Sequence, residues 1–213
     1  MESRETKIYS DVNKNAVIRV IPGHFATNHS HINYYVDMTI MKCRKSEAEA
    51  AASVLARKYT SSTYVDTIIC MDGCEIIGAY LADKLTESGI MSLNQHKTMY
   101  IVTPEMNPGG QLIFRDNLQM MIRNKHCLIL LASATTGRTI ARALECIQYY
   151  GGIVEGISAI FSASKEVNGI EINSIFGKED IPDYQTYEFN KCPLCEKKQK
   201  IDAIVNSYGY SKL

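Results

Sequence analysis

The spacing of hydrophobic positions changes period sharply in the middle of the chain. Cys127 to Ala132 is an unbroken apolar run, as in a strand buried on both faces. A stretch of small residues follows. Ile140, Ala143, Leu144 and Ile147 then recur at helical spacing, with Arg142 and Glu145 on the other side, until Gly151-Gly152 stops the helix. Asp66 to Cys70 repeats this arrangement. A buried-strand pattern leads through the turn Met71-Asp-Gly-Cys74 into a helix bearing Ile77, Leu81 and Leu85, with Gly89 as its terminator.

The remaining elements follow from the same signals. Ala16 to Ile21 reads as a short strand closed by Pro22-Gly23, and Tyr34 to Ile40 as a second strand. Ser46-Glu-Ala-Glu49 has the form of a capping box ahead of an alanine-rich helix running to Tyr59. Lys97 to Val102, Gly152 to Phe161 and Ile170 to Phe176 are further strands, and Pro104 to Gly110 is the expected mobile loop. Alternation of strand and helix predicts an α/β fold, a central mostly parallel sheet flanked by helices.

Composition narrows the class. The 23 basic and 23 acidic side chains cancel, so no global field draws the chain to nucleic acid or an acidic membrane. Neither partner is expected. No apolar run is long enough to span a bilayer, and residues Met1 to Lys7 lack the apolar stretch of a signal peptide. Four of the seven cysteines (Cys70, Cys74, Cys127 and Cys146) sit in or beside apolar runs, as reduced core cysteines do. A cytoplasmic location is the expectation.

The chemistry concentrates at the turn Ser133-Ala-Thr-Thr-Gly-Arg-Thr139. A strand that feeds such a turn into a helix aims unpaired amides at one spot, where the helix dipole favours negative charge. The hydroxyls of Thr135, Thr136 and Thr139 add donors, so Ser133, Ala134, Thr135, Thr136, Gly137, Arg138 and Thr139 form a candidate phosphate cradle. An ordinary hydroxyl helix cap would need fewer of them. Arg138 is open to two readings, a solvated helix residue or a second phosphate contact.

This segment resembles the type I phosphoribosyltransferases, in which a strand ends in two acidic residues, then a Thr-Thr-Gly-x-Thr turn, then a helix. The resemblance implies that the turn holds the 5'-phosphate of phosphoribosyl pyrophosphate and that the acids hold the ribose hydroxyls. Thr135 to Thr139 keeps the phosphate half, whereas Leu131 and Ala132 stand where the acids belong. The stretch Gly23 to Asp37 is similar to the opening of orotate phosphoribosyltransferases through Phe25, Tyr34, Tyr35 and Asp37, with Ser30 in place of a turn glycine. Phe25, Tyr34 and Tyr35 are thereby base-site candidates, against a plainer role in core or dimer packing. Asp72, Gly73 and Cys74 stand where the family places a pyrophosphate loop. The long loop of active orotate enzymes carries Lys or Arg and a His-Gly pair. Thr103 to Asn117 offers a lone Arg115 and two acids, Glu105 and Asp116.

The resemblance spans roughly residues 20 to 195 and implies one domain over 1–213. A hood comes from about 1–45, the α/β core from 46–180 and a C-terminal segment from 181–213. It also implies Mg2+ if the protein is catalytic, a small nucleotide or phosphoribosyl ligand, and a homodimer. Tyr34, Tyr35 and Phe114 are read as exposed aromatics that hint at the same interface. The expected function is that of an orotate phosphoribosyltransferase-like protein whose transfer is weak or absent. The alternative is a non-catalytic nucleotide-binding or sensing protein on the same fold.

Other signals are weaker. Cys192-Pro-Leu-Cys195 has zinc-ligand spacing but is half a site, and a plain turn or packed thiols is the expectation, with no metal assigned. His24, His29 and His31 could complete it only if the C-terminal segment folds back over the N-terminal turn. Asp72 and Glu75 lack a partner base in sequence, and Glu75 is explained by the dipole at a helix start. Lys197 to Lys200 is a charge run ahead of a short amphipathic piece, Ile201, Ile204 and Val205.

Overall fold

In the computed structural model, which describes residues 1–87, 92–95, 98–107 and 109–213, the chain builds two sheets. In chain order the elements are β1 (Thr6–Tyr9), β2 (Val17–Ala26), β3 (His31–Asp37), α1 (Thr39–Cys43), α2 (Lys45–Ala56), β4 (Thr67–Cys70), α3 (Glu75–Thr86) and β5 (Tyr100–Val102). Next come β6 (Glu105–Met106), β7 (Leu112–Ile113), α4 (Asp116–Gln119), β8 (His126–Ala134), α5 (Arg138–Tyr149), β9 (Ile153–Ser162), β10 (Glu166–Val167) and β11 (Ile170–Gly177). The last are β12 (Thr186–Tyr187), α6 (Pro193–Glu196), β13 (Ala203–Asn206) and β14 (Gly209–Lys212).

The core sheet runs β10-β11-β9-β8-β4-β5, and all of its neighbours pair in parallel except the β10–β11 hairpin. This is the α/β fold that the strand and helix alternation predicts. Side chains alternate across the sheet, as the two-residue strand period requires. Ile68, Cys70, Leu128, Leu130 and Ala132 pack with Leu55 of α2 and Ile77, Leu81 and Leu85 of α3. Ile69, Ile129, Leu131, Ile157 and Ala159 pack on the opposite face with Ile140, Ala143, Cys146 and Ile147 of α5. Burying one such side chain stabilises the fold by about 1.5–3 kcal/mol, so β8, buried throughout from Cys127 to Ala132, is firmly held. Cys70, Cys74, Cys127 and Cys146 are all buried and free.

The second sheet is the hood, and it departs from the expected one. It is ordered β12-β3-β2-β13-β14, with β1 also on β2, so both ends of the chain contribute to it. The short amphipathic piece at Ile201, Ile204 and Val205 leads into a strand, β13, which runs parallel to β2 and turns back as β14. Strand β2 does not stop at Pro22-Gly23 but crosses it with a register shift between Pro22 and Phe25, the kind of irregularity that accommodates proline in a strand. The Asp202 carboxylate accepts a hydrogen bond from the His24 amide at 2.9 Å, and a Cβ on Gly23 would lie 2.4 Å from that carboxylate.

Three further expectations need correction. Strand β3 ends at Asp37, whose carboxylate accepts the Thr39 amide at 2.9 Å and starts α1 three residues before the expected strand end. The capping box at Ser46 does not form. Arg44 caps both α1 and α2, which places Ser46 inside α2 and pairs Glu49 with Lys45 at 2.6 Å. Of the aromatics read as exposed, Tyr35 and Phe114 are buried and Tyr34 is half-buried. Gly89, Lys97 and Pro108 lie outside the described residues. No described helix is long and apolar enough to cross a membrane.

Helix α3 lies unusually close to β4 because Gly78 has no side chain there. A Cβ on Gly78 would sit 2.4 Å from Cys70 Sγ. Gly78→Ala should therefore destabilise by about 1–3 kcal/mol, the usual cost of overpacking. Adding Cys70→Ala should relieve part of that loss. Urea unfolding of the two single variants and the double variant measures the coupling, and strictly additive losses would show that the contact is not the cause.

Candidate functional site

The ends of β4 and β8 open onto one large cavity of about 640 Å³. This is the carboxyl edge of a parallel sheet, the usual ligand position in open α/β folds. Strand β8 delivers the turn Thr135-Thr-Gly137 to the cavity and α5 begins at Arg138. Gly137 makes the turn possible. Its φ is 71°, and a Cβ there would lie 2.7 Å from Val167 Cγ2. No side chain caps α5. Among the described residues, no acceptor pairs with the amides of Thr136, Gly137, Arg138, Thr139 or Ile140. Unpaired amides at the positive end of a twelve-residue helix favour negative charge beside them.

Of the seven phosphate candidates, Ser133, Thr135, Thr136 and Thr139 line the large cavity. Ala134, Gly137 and Arg138 join them around a smaller cavity of about 30 Å³ at the turn itself. Arg138 is exposed and, after Lys191, helps to hold the Glu188 carboxyl below the usual carboxylate range.

The second wall is the loop from β4 to α3. Asp72 and Gly73 both adopt left-handed backbone, with φ of 58° and 76°. Lys42 of α1 clamps this loop. Its buried side chain donates from Nζ to the Asp72 carbonyl at 2.8 Å and to the Ser207 carbonyl in the β13–β14 turn. The ammonium is thus held by backbone oxygens and joins three segments of the cavity wall. Burial pushes the Asp72 carboxyl above the usual carboxylate range, against the pull of Lys42, the Ala132 amide and Ser207. Cys74, the third candidate of this loop, lines neither cavity. It is fully buried and its thiol is pushed well up, so it is no nucleophile near neutral pH. Glu75 is exposed at the start of α3 and accepts the Thr103 hydroxyl at 2.9 Å.

The third wall is aromatic. Of the base-site candidates, Tyr35 lines the cavity, while Phe25 lies buried beneath it at a ring distance of 6.0 Å and Tyr34 is not part of the lining. Phe161 and Tyr184, packed edge-on at 5.1 Å, supply the other rings. Met106 of β6 and Leu112 of β7 also line the cavity, whereas Arg115, just after β7, is engaged by Glu105 at 2.7 and 2.8 Å and is not part of the lining. Arg142 of α5 is the cation that lines the cavity from that side.

Sequence reasoning missed Lys42, Arg142, Phe161 and Tyr184. Arg142 had a usable signal, since it stands one turn beyond Thr139 and so shares that face of α5. Lys42 had none, because it stands just past a segment read as strand.

A separate cluster lies on the hood. The C-terminal segment does fold back over the N-terminal turn and brings Cys192 and Cys195 to His24 and His31. His29 stays apart, exposed at the cavity edge.

No family model matches the chain, and no curated protein is detectably similar to it in sequence. Solved structures are similar in fold. Orotate phosphoribosyltransferase from Aeropyrum pernix superposes with a TM-score of 0.54 at 17% identity, covering 76% of this chain and 90% of that one. Adenine phosphoribosyltransferase from Thermoanaerobacter pseudethanolicus gives 0.52 at 17% identity, covering 83% and 96%. A phosphoribosyltransferase from Corynebacterium diphtheriae gives 0.51 at 16%, covering 76% and 90%. The chain has a type I phosphoribosyltransferase-like fold.

The raised Asp72 carboxyl sets a pH signature. The folded state holds this proton more tightly than the unfolded chain does, so stability falls as pH rises from the ordinary carboxylate range through the raised folded value. Asp72→Asn removes the titration and should be more stable than wild type at neutral pH, with the gap closing in acid. Unfolding midpoints across pH check this, and a gap that stays flat would rule it out.

Proposed function

We propose that the protein binds a 5'-phosphorylated ribose ligand, a nucleotide or a phosphoribosyl compound, and transfers the sugar slowly or not at all. One observation carries the reading: a single cavity joins the unpaired-amide turn at Thr135 to Thr139 to an aromatic wall of Tyr35, Phe161 and Tyr184. The phosphate sits at the turn, the sugar crosses toward Asp72 and Gly73, and a base reaches the rings. Lys42 and Arg142 add positive charge between them.

The end of β8 argues against efficient transfer. Leu131 and Ala132 are buried on opposite faces of the sheet, and neither can accept a hydrogen bond from a ribose hydroxyl. Two lost contacts to charged groups remove about 3–6 kcal/mol, on the order of 10² to 10⁴ in binding. A positive charge developing at the sugar would also lack the carboxylates that stabilise it. Magnesium, implied by the resemblance, finds no oxygen side chain at these two positions. The Asp72 carboxylate is already met by the Ala132 amide and Ser207. The residues at the strand end do not fit the ion, and the same observation favours a binding or sensing role over an enzymatic one.

Calorimetry with ribose 5-phosphate, nucleoside monophosphates and phosphoribosyl pyrophosphate should detect binding. Thr135→Ala and Thr139→Ala should each weaken it about tenfold or more. No binding of any of these compounds by the wild-type chain would end the proposal. Orotidine monophosphate formation with magnesium and saturating substrates should fall far below the enzyme median of about 10 s⁻¹. A turnover near that value would restore the enzymatic reading.

A further inference from the structure

None of the hood cluster's four side chains lines the cavity, and the cluster has its own chemistry. His24 stands in β2, His31 at the start of β3, Cys192 caps α6 and Cys195 lies within it. One ligand atom from each falls within 4.8 Å of all the others. Cys192 Sγ and Cys195 Sγ are each 3.6 Å from His24 Nε2, and Cys195 Sγ is 3.3 Å from His31 Nδ1. His24 Nε2 and His31 Nδ1 are 3.0 Å apart. Metal–sulfur and metal–nitrogen bonds of about 2.3 and 2.0–2.1 Å at tetrahedral angles place neighbouring S and N ligands about 3.5 Å apart and N from N about 3.3 Å. The observed separations are close to those edges.

We propose that His24, His31, Cys192 and Cys195 bind one structural zinc ion. The surrounding shell supports the assignment. The outer ring nitrogen of His24, Nδ1, donates to the Gln199 carbonyl at 2.9 Å, which fixes the tautomer whose Nε2 lone pair faces the cluster. His24, His31 and Cys192 are buried, and Phe189 packs edge-on against His31 at 5.2 Å. Two thiolates and two neutral imidazoles around Zn2+ carry no net charge, which suits a site with three buried ligands. Sulfur and imidazole in tetrahedral array select zinc over magnesium or calcium. Binding releases the two thiol protons to solvent and needs no redox partner.

The ion would staple the two ends of the chain together. The turn between the histidine ligands, Thr27 to Ser30, lines the large cavity, so the zinc fixes one of its edges.

The test uses the full chain purified under reducing conditions. Elemental analysis should give about one zinc per chain, and Cys192→Ser or Cys195→Ser should lose most of it, while Cys43→Ser, an exposed cysteine outside the cluster, keeps it. Chelation in the presence of a thiol-reactive reagent should lower the unfolding midpoint by roughly 10 °C. Because the serine variants can misfold, the wild-type chain is also reconstituted with cobalt. Intense tetrahedral d–d bands with a thiolate-to-cobalt charge-transfer band support the site. Weak octahedral bands, zinc below about a tenth of an equivalent with all thiols reduced, a Cys192–Cys195 disulfide in the purified chain, or equal zinc loss in Cys43→Ser would each overturn it.

Discussion

Burial of β8 on both faces is the constraint on which the site depends. From Cys127 to Ala132 every side chain is enclosed, with alternate residues serving the α3 layer and the α5 layer. A strand held in this way cannot shift register without sending its whole apolar set to the wrong layer. The turn that follows is therefore delivered to a fixed place, and its amides converge without the help of any ligand. The same enclosure explains why the residues before the turn cannot be exchanged freely. An acid at Leu131 would enter the packing around Ile140 and Ala143, where an unpaired carboxylate is costly.

Much of the core was legible because it is local. The continuous apolar runs ending at Cys70 and Ala132 each feed a turn and an amphipathic helix, and periodicity reads such units well. The turn from β8 to α5 belonged to the same stretch, and its glycine adopts a left-handed backbone. The hood was less legible because its pairing is long-range. Nothing near Ile204 announces a strand that lies beside Phe25 and Ala26, and the tail reads only as a charge run ahead of a short amphipathic piece. Pro22-Gly23 reads as a stop in isolation, but it is bridged by a register shift that only the paired strand reveals. The cavity wall shows the same limit. Phe161 lies in a strand where an aromatic suggests core, and Lys42 acts through two carbonyls that no pattern of side chains reports.

Lys42 and Asp72 show how the cavity is organised electrically. The ammonium is satisfied by backbone oxygens, which leaves its charge felt by its surroundings, and the neighbouring carboxyl is held up by burial in spite of it. A ligand phosphate at the turn would meet a wall that already contains one buried cation and, across the opening, Arg142. The proposed anion site would combine the fixed amides of the turn with these two cations.

The interleaving of the hood has a consequence for biosynthesis. Strands β4 to β11 form a continuous stretch of chain, so the core sheet can close as soon as residue 177 is available. The hood cannot. His24 in β2 must wait for Asp202, 178 residues later, before its amide is satisfied and β13 can pair beside it. At about 5–20 residues per second, the stretch from Gly177 to Asn206, the end of β13, takes on the order of 1.5 to 6 seconds. During that interval β2 and β3 present an unfinished edge and an apolar face next to a completed core. The cavity is thus completed late, and a nascent chain stalled before β13 would carry the folded β8–α5 turn under an open roof.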